Sequence, residues 1–143
     1  MLISFHFVLS LVSTYVLLMH DWKMSFEPMY IGYAEGACKH TQNFASSAWV
    51  IYSPSAQLLG LGRTCLSPAT NNIAKYSAVI KLLTDSISHG IRHLMVKLDS
   101  QLVVSQLNGL YHVRNPMLFT EFLRVKLLEK QFQFITYVQF LEY

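Results

Sequence analysis

The chain has 143 residues, of which 52% are hydrophobic and 13% are charged, and its formal net charge is +3 at pH 7. This length fits one domain with a sizeable core, and the mild basic balance is compatible with a phosphate-bearing partner without establishing one. Two cysteines, Cys38 and Cys65, are too few for a disulfide framework and lack metal-ligand spacing, which indicates free thiols in a reducing compartment.

The chain begins with an apolar stretch, Leu2–Met19, in which the only titratable side chains besides a tyrosine belong to His6. Its length suits a marginal membrane span, but it lacks the basic start and the small-residue cleavage site of a signal peptide.

Three interpretations of this apolar stretch are open: a membrane anchor, a secretion signal, or the remnant or mistranslated flank of a larger coding sequence. The rest of the chain does not look secreted, which favours the remnant and a cytoplasmic or nuclear location over a membrane. We therefore divide the chain into an apolar leader (residues 1–20), a linker (21–28) and a globular domain (29–143).

Alternating apolar residues predict three strands at the start of the domain, namely Met29–Glu35, Ser47–Ser53 and Gln57–Arg63. The stretch GACKHTQNFA, residues 36–45, reads as a turn-rich connector, and Pro54-Ser55 as a turn. Because the connections are short, these strands are expected to form an antiparallel meander.

The stretch TNNIAKYSAVIKLL, Thr70–Leu83, is typical of a helix start followed by an apolar stripe. Thr70 or Asn71 is expected to cap the helix, and Gly90 to end it. The predicted buried stripe recurs every three or four residues and consists of Ile73, Tyr76, Ile80, Leu83 and Ile87.

The remaining pattern predicts a central strand at His93–Asp99, a short helix from Ser100 to about Asn108-Gly109, a helix opened by Asn115-Pro116 and a last strand at Phe132–Phe140. Inward positions of these last two elements are predicted to be Leu118, Phe122, Val125, Leu128, Phe132, Phe134 and Val138. The resulting order, β-β-β-α-β-α-α-β, predicts an α/β fold with a mixed five-stranded sheet, made of the meander plus parallel strands, and helices on its faces.

Two acidic residues close predicted strands in this order, Glu35 on the first strand and Asp99 on the central one. Asp99 alone has a simple structural interpretation, since an aspartate before a helix often caps it. Two carboxylates at neighbouring strand ends could instead share a divalent cation, because such cations prefer oxygen ligands.

Four motifs occur together in this order of elements: GYAEGACK (Gly32–Lys39), TNNIAKYSAVIKLL, KLDSQLVVSQLNG (Lys97–Gly109), and YHVRNP before the next helix. Together they resemble the type 1 ribonuclease H domain, particularly its divergent versions in plant LTR-retrotransposon polyproteins. The second and third motifs are the most specific, and GYAEGACK is similar to the family's first-strand motif. The resemblance covers roughly Met29–Phe140. It implies a ribonuclease H-like fold, an RNA–DNA hybrid as partner, and hydrolysis of the RNA strand.

The family implies a site of four carboxylates that hold two Mg²⁺ ions about 3.5–4 Å apart. By this resemblance, Glu35 and Asp99 correspond to two of the metal-binding aspartates, and Lys75 stands where the helix glutamate belongs. The fourth carboxylate lies on a last helix that the chain does not reach before Tyr143, where we expect a frameshift or premature stop. Without that helix, part of the sheet is expected to be uncovered and apolar.

This degenerate set predicts little or no hydrolysis. A positive charge about 6 Å from a divalent ion is repelled by on the order of 5 kcal/mol at an effective dielectric of about 20. Glu35 is also one methylene longer than aspartate, and magnesium tolerates little departure from octahedral geometry.

Binding is a separate expectation from cutting. The family contacts the hybrid through the asparagines after the threonine and the glutamine after Asp-Ser, which are Asn71, Asn72 and Gln101 here. Their local alternatives are a helix cap for Asn71 and a first-turn polar residue for Gln101.

Three functions are therefore open. The first is a degenerate ribonuclease H-like domain of retrotransposon origin that retains nucleic-acid binding. The second is an active magnesium-dependent nuclease for RNA–DNA hybrids. The third is a membrane-tethered interaction module in which Leu2–Met19 is the anchor.

Overall fold

The computed structural model describes residues 27–39, 44–66 and 69–141 of the chain. The elements in chain order are β1 Tyr30–Lys39, β2 Phe44–Tyr52, β3 Leu58–Leu66, α1 Asn71–Ser88, β4 His93–Leu98, α2 Gln101–Leu107, α3 Pro116–Glu129 and β5 Phe134–Gln139. The apolar leader and most of the predicted linker lie outside the described residues. Among the helices that are described, none is long and apolar enough to cross a membrane.

The five strands form one mixed sheet in the order β3-β2-β1-β4-β5. β2 runs antiparallel to β1 and β3, whereas β4 runs parallel to β1 and β5. This confirms the predicted meander with added parallel strands. The predicted connector at residues 36–45 is wrong at both ends, because β1 and β2 continue until Lys39 pairs with Phe44. The residues of this stretch are mostly small or polar, so they show no alternation of apolar side chains that would have predicted a strand, although their backbones pair.

α1 begins where the sequence predicted, since the Thr70 side chain accepts a hydrogen bond from the backbone N–H of Ile73 at 3.3 Å. It ends at Ser88, and Gly90 follows with a φ of +72° that suits glycine. The predicted buried stripe is only partly correct. The fully buried set is wider, because α1 is covered by the sheet on one side and by α3 on another, and consists of Ala74, Tyr76, Ala78, Val79, Leu82, Leu83 and Ser86.

All three described helices pack on the same face of the sheet and share one hydrophobic core. Val103 of α2 and Val125 of α3 are completely buried in it together with Leu82 of α1 and Val96 of β4. The predicted flanking helices are confirmed, and within the described residues they lie on one side of the sheet. Phe134 differs from its predicted burial, because at the first position of β5 it is 47% exposed.

The opposite side of the sheet, which we term the open face, carries the other half of the alternating side chains. Its centre consists of Ile31, Tyr33, Val50, Tyr52 and Met95, which are only partly exposed. The ring of Tyr33 packs edge-on against Tyr52 and Phe140, with centroid distances of 6.0 and 5.4 Å. The open face is therefore an apolar, aromatic surface without a helix over it among the described residues.

A polar cluster fixes α3 to the rest of the helical layer. The Lys126 ammonium donates to the Leu107 carbonyl oxygen at 2.7 Å and to Glu129 at 3.0 Å. The Tyr137 hydroxyl of β5 donates to the same Glu129 carboxylate at 2.7 Å. Burial raises the pKa of Tyr137 far above its usual value, and the adjacent Glu129 charge adds to that shift.

Candidate active site and nucleic-acid interface

The two candidate carboxylates lie at the ends of neighbouring parallel strands. The register of β1 and β4 pairs Ala34 with Leu98, and Glu35 and Asp99 are the next residue on each strand. Both are solvent-accessible, and the Asp99 side chain is 36% exposed. Carboxyl ends of adjacent parallel strands are a frequent place for ligands in open α/β sheets.

The simple structural interpretation of Asp99 as a helix cap is not what the structure shows. α2 is capped by Ser100, whose hydroxyl accepts a hydrogen bond from the backbone N–H of Val103 at 3.3 Å. The Asp99 carboxylate therefore lies beside the helix start without serving as its cap.

α1 packs directly against the backbone of β1 next to Glu35, at Gly36. A Cβ atom at Gly36 would lie 2.3–2.4 Å from the backbone of Ala74 and Lys75, a distance that real side chains do not reach. Only glycine permits this backbone-to-backbone packing. The contact brings the first turns of α1, with Lys75, to the strand end that bears Glu35.

Lys75 faces Asp99 across this junction. Its ammonium nitrogen lies 3.9 Å from the Asp99 Oδ1, and the two side chains are 24% and 36% exposed. At this exposure the ion pair contributes at most about 1 kcal/mol to stability, because solvent screens it. Its importance is chemical, since a fixed cation lies against the carboxylate that the resemblance assigns to a metal.

The donor set does not fit a pair of magnesium ions. Within residues 27–39, 44–66 and 69–141, no three His, Cys, Asp or Glu side chains are grouped closely enough to hold a metal ion. Mg²⁺ prefers an octahedral shell of oxygen ligands. The carboxylates of Glu35 and Asp99 supply too few oxygens for two such ions, and the Lys75 ammonium group repels a cation.

The three predicted nucleic-acid contacts surround the same junction. Asn71 is exposed at the first position of α1, and its Oδ1 accepts a hydrogen bond from the backbone N–H of Cys38 at 2.8 Å. Asn72 follows it and is partly buried, while Gln101 is exposed in α2 and donates to the Ser105 hydroxyl at 3.3 Å. The Asn71 cap predicted as a local alternative is wrong, because Thr70 is the cap.

A buried hydrogen bond joins the two helices that frame the junction. The Tyr76 hydroxyl, one residue after Lys75, donates to the Gln106 Oε1 of α2 at 2.8 Å. Burial raises the pKa of Tyr76 well above its usual value, so the phenol stays neutral and remains a donor. This bond holds the helix of Lys75 against the helix that follows Asp99.

Sequence reasoning missed Gly36, Gln106 and the Asn71–Cys38 bond. Gly36 was visible as a glycine after a strand-closing acid, a signal of close backbone approach. The two hydrogen bonds join residues 30 and 33 positions apart, and no local pattern encodes them.

Comparison with known proteins supports this assignment of the fold. Residues 33–139 match the family model described as reverse transcriptase-like. The bifunctional protein Rv2228c of Mycobacterium tuberculosis is 30% identical over 105 residues, which cover 73% of this chain and 29% of that protein. The chain thus spans under a third of this curated relative's length.

Two solved structures share the fold. The RNase H1 of the halophilic archaeon Halobacterium salinarum matches with a TM-score of 0.74 and 28% identity, over 78% of this chain and 85% of that one. LC11-RNase H1, in complex with an RNA/DNA hybrid, matches with a TM-score of 0.71 and 25% identity, over 78% of this chain and 84% of that one.

Proposed function

Because the chain belongs to the reverse transcriptase-like family of ribonuclease H-like proteins, we propose that it binds RNA–DNA hybrids and hydrolyses them weakly or not at all. The observation that carries this proposal is the 3.9 Å approach of the Lys75 ammonium to Asp99. Two further parts of the proposal rest on the family resemblance: the origin of the chain in a mobile element, and the dependence of any hydrolysis on a divalent metal ion.

Hybrid binding is supported by the chemistry at the start of α1. The first turn of an 18-residue helix presents backbone N–H groups and a partial positive charge, which attract phosphate. Asn71 uses its carbonyl oxygen for Cys38, and its amide N–H donors are separate from that bond. Lys75 adds a positive charge one turn further along, and Gln101 adds an amide in α2. LC11-RNase H1, with the same fold, is described in complex with an RNA/DNA hybrid.

Loss of hydrolysis is supported by the charge of the same residues. In a two-metal nuclease, a bound divalent ion would supply an activated water and stabilise the leaving oxygen. Here Lys75 partly neutralises Asp99 and repels a divalent cation, while Glu35 and Asp99 are two ligand positions of the family's four. Binding by Lys75 and the helix start needs no metal, so the two activities separate.

The test compares the full chain with Lys75→Glu and with Lys75→Met as the matched control. Lys75→Met removes the charge without adding a ligand, whereas Lys75→Glu puts a carboxylate next to Asp99, at the junction where Glu35 ends the neighbouring strand. We expect only Lys75→Glu to gain magnesium-dependent thermal stability, amounting to about 1.4 kcal/mol when the ion is at tenfold its Kd.

Hybrid binding is measured in parallel by fluorescence anisotropy, with duplex DNA and single-stranded RNA as competitors. We expect the unsubstituted chain to prefer the hybrid and to leave it intact in magnesium or manganese. Robust cleavage by the unsubstituted chain, lost in Asp99→Asn, would contradict the proposal and identify an active nuclease. Equal affinity for all three nucleic acids would contradict the binding half.

A further inference from the structure

The open face contains an apolar depression with no described segment above it. Its volume is about 470 Å³. Two strands and the turn between β2 and β3 line it, through Ile31, Tyr33, Val50, Tyr52, Pro54 and Ala56. Beside it, Leu61 of β3 is 71% exposed. A contiguous apolar surface of this kind marks a place where another segment or molecule binds.

The chain enters the sheet directly beside this depression. β1 is the middle strand of five, so the chain that precedes Tyr30 joins the sheet at its central strand and not at an edge strand. The lining residues Ile31 and Tyr52 pair with each other at this entry end of β1. Here the Glu27 carboxylate lies 2.9 Å from the His93 Nδ1, which ties the incoming chain to the start of β4.

The direction of that tie favours the open face. His93 alternates in phase with Met95 and Lys97, whereas Leu94, Val96 and Leu98 belong to the core under the helices. The Glu27–His93 pair therefore holds the incoming chain on the side of the depression.

The sequence immediately before this point has the matching chemistry. Leu2–Met19 contains no Asp, Glu, Lys or Arg, and it would cost free energy to leave this apolar surface in water. Because Glu27 is held at His93, the free tether consists of the seven residues 20–26, which span up to about 25 Å when extended. The depression lies at the same end of the sheet, within two strand spacings of about 4.8 Å from β4, so this tether reaches it.

We propose that the apolar leader packs across the open face and fills the depression between β1, β2 and their neighbouring turn. A short tether gives the leader an effective concentration of the order of millimolar at this surface, well above the concentration of a second copy in a dilute solution. The depression and the leader thus form an intramolecular interface, in which a segment from the start of the chain covers the side of the sheet that the described helices do not cover. The interface is independent of the catalytic assignment.

The test is photo-crosslinking in the full chain, with benzoylphenylalanine placed at Tyr52 in the depression. A second variant carries the same probe at Pro54, an exposed turn residue in the lining of the depression, where the probe replaces no core side chain. The matched control carries the probe at Leu127, which is 62% exposed on α3 in the helical layer. We expect mass spectrometry to find peptides from residues 2–19 joined within one chain, at a yield about tenfold above the control, which corresponds to a preference of about 1.4 kcal/mol for the open face over the helical layer.

Each other outcome overturns the proposal. Crosslinks between two chains, seen as a dimer in denaturing electrophoresis, would identify a second copy as the occupant. Crosslinks to lipid, with flotation of the chain on phosphatidylcholine vesicles, would identify a membrane. Equal leader crosslinks from Leu127, or none from either depression probe, would show that the leader has no preference for this face.

Discussion

The two faces of the sheet are packed by opposite rules. On the helical side, backbone meets backbone at Gly36 and a leucine of α1 fills the space above Gly32, where an added Cβ would lie 2.7 Å from Leu82. On the open face, Tyr33, Tyr52 and Phe140 are arranged edge-on and remain partly exposed. The helical side therefore has almost no tolerance for added volume, whereas the open face has space to receive a segment.

This difference explains where the candidate site lies. Glu35 is on the open side of β1, whereas Lys75 is on the helix that covers the other side, and Gly36 lets that helix approach the strand end next to Glu35. The position of the candidate site therefore depends on the close backbone packing of the helical side. Its geometry depends on packing tolerances that a single methyl group exceeds.

The largest expected effect comes from adding that methyl group. Gly36→Ala would place a Cβ within 2.4 Å of the α1 backbone, so the helix must move, and we expect a loss of about 3 kcal/mol or more in the free energy of unfolding. The control is Ala37→Val on the open face, which is exposed and is expected to change stability by less than about 0.5 kcal/mol. Chemical denaturation measures both. Equal losses in the two variants would contradict the contrast between the faces.

The sequence predicted the parts of this contrast that depend on local periodicity. Element order, the Thr70 cap and the helix start at Pro116 follow from spacing and capping chemistry, and the structure has all three. Spacing did not predict which face the helices cover. Along β1 the apolar residues Ile31 and Tyr33 mark the open face, while the buried side bears Gly32, Ala34 and Gly36.

The candidate site was likewise predictable only in part. The resemblance named Glu35, Lys75 and Asp99, and the fold brings Lys75 and Asp99 together. The supporting contacts of Gly36, Gln106 and Cys38 could not be read from sequence, because they depend on how helices are placed against strands far away in the chain.

A smaller effect is expected from pH, through Tyr137, one of the two tyrosines that are buried on the helical side with a raised pKa. The pKa of Tyr137 is raised in the folded chain, so its neutral form stabilises the fold below the unfolded pKa of about 10, and this contribution is lost progressively as the pH rises above that value. We expect the melting temperature to fall steeply above about pH 10. Tyr137→Phe should make that decline shallower, because the ring stays and one of the two titrating phenols is removed while Tyr76 remains. An identical alkaline slope in both proteins would show that Tyr137 does not control it.

The smallest effect separates two roles of Asn71, at the start of α1: its hydrogen bond to Cys38 and its proposed contact with nucleic acid. Asn71→Ala removes the acceptor for the Cys38 N–H and should cost about 1 kcal/mol. Asn71→Asp keeps an acceptor at the start of α1, where the helix dipole favours a negative charge, so stability should stay within about 0.5 kcal/mol. The same aspartate lacks N–H donors and repels phosphate, so hybrid affinity should fall. If Asn71→Asp leaves both stability and hybrid affinity unchanged, Asn71 only joins the helix to the strand and takes no part in nucleic-acid binding.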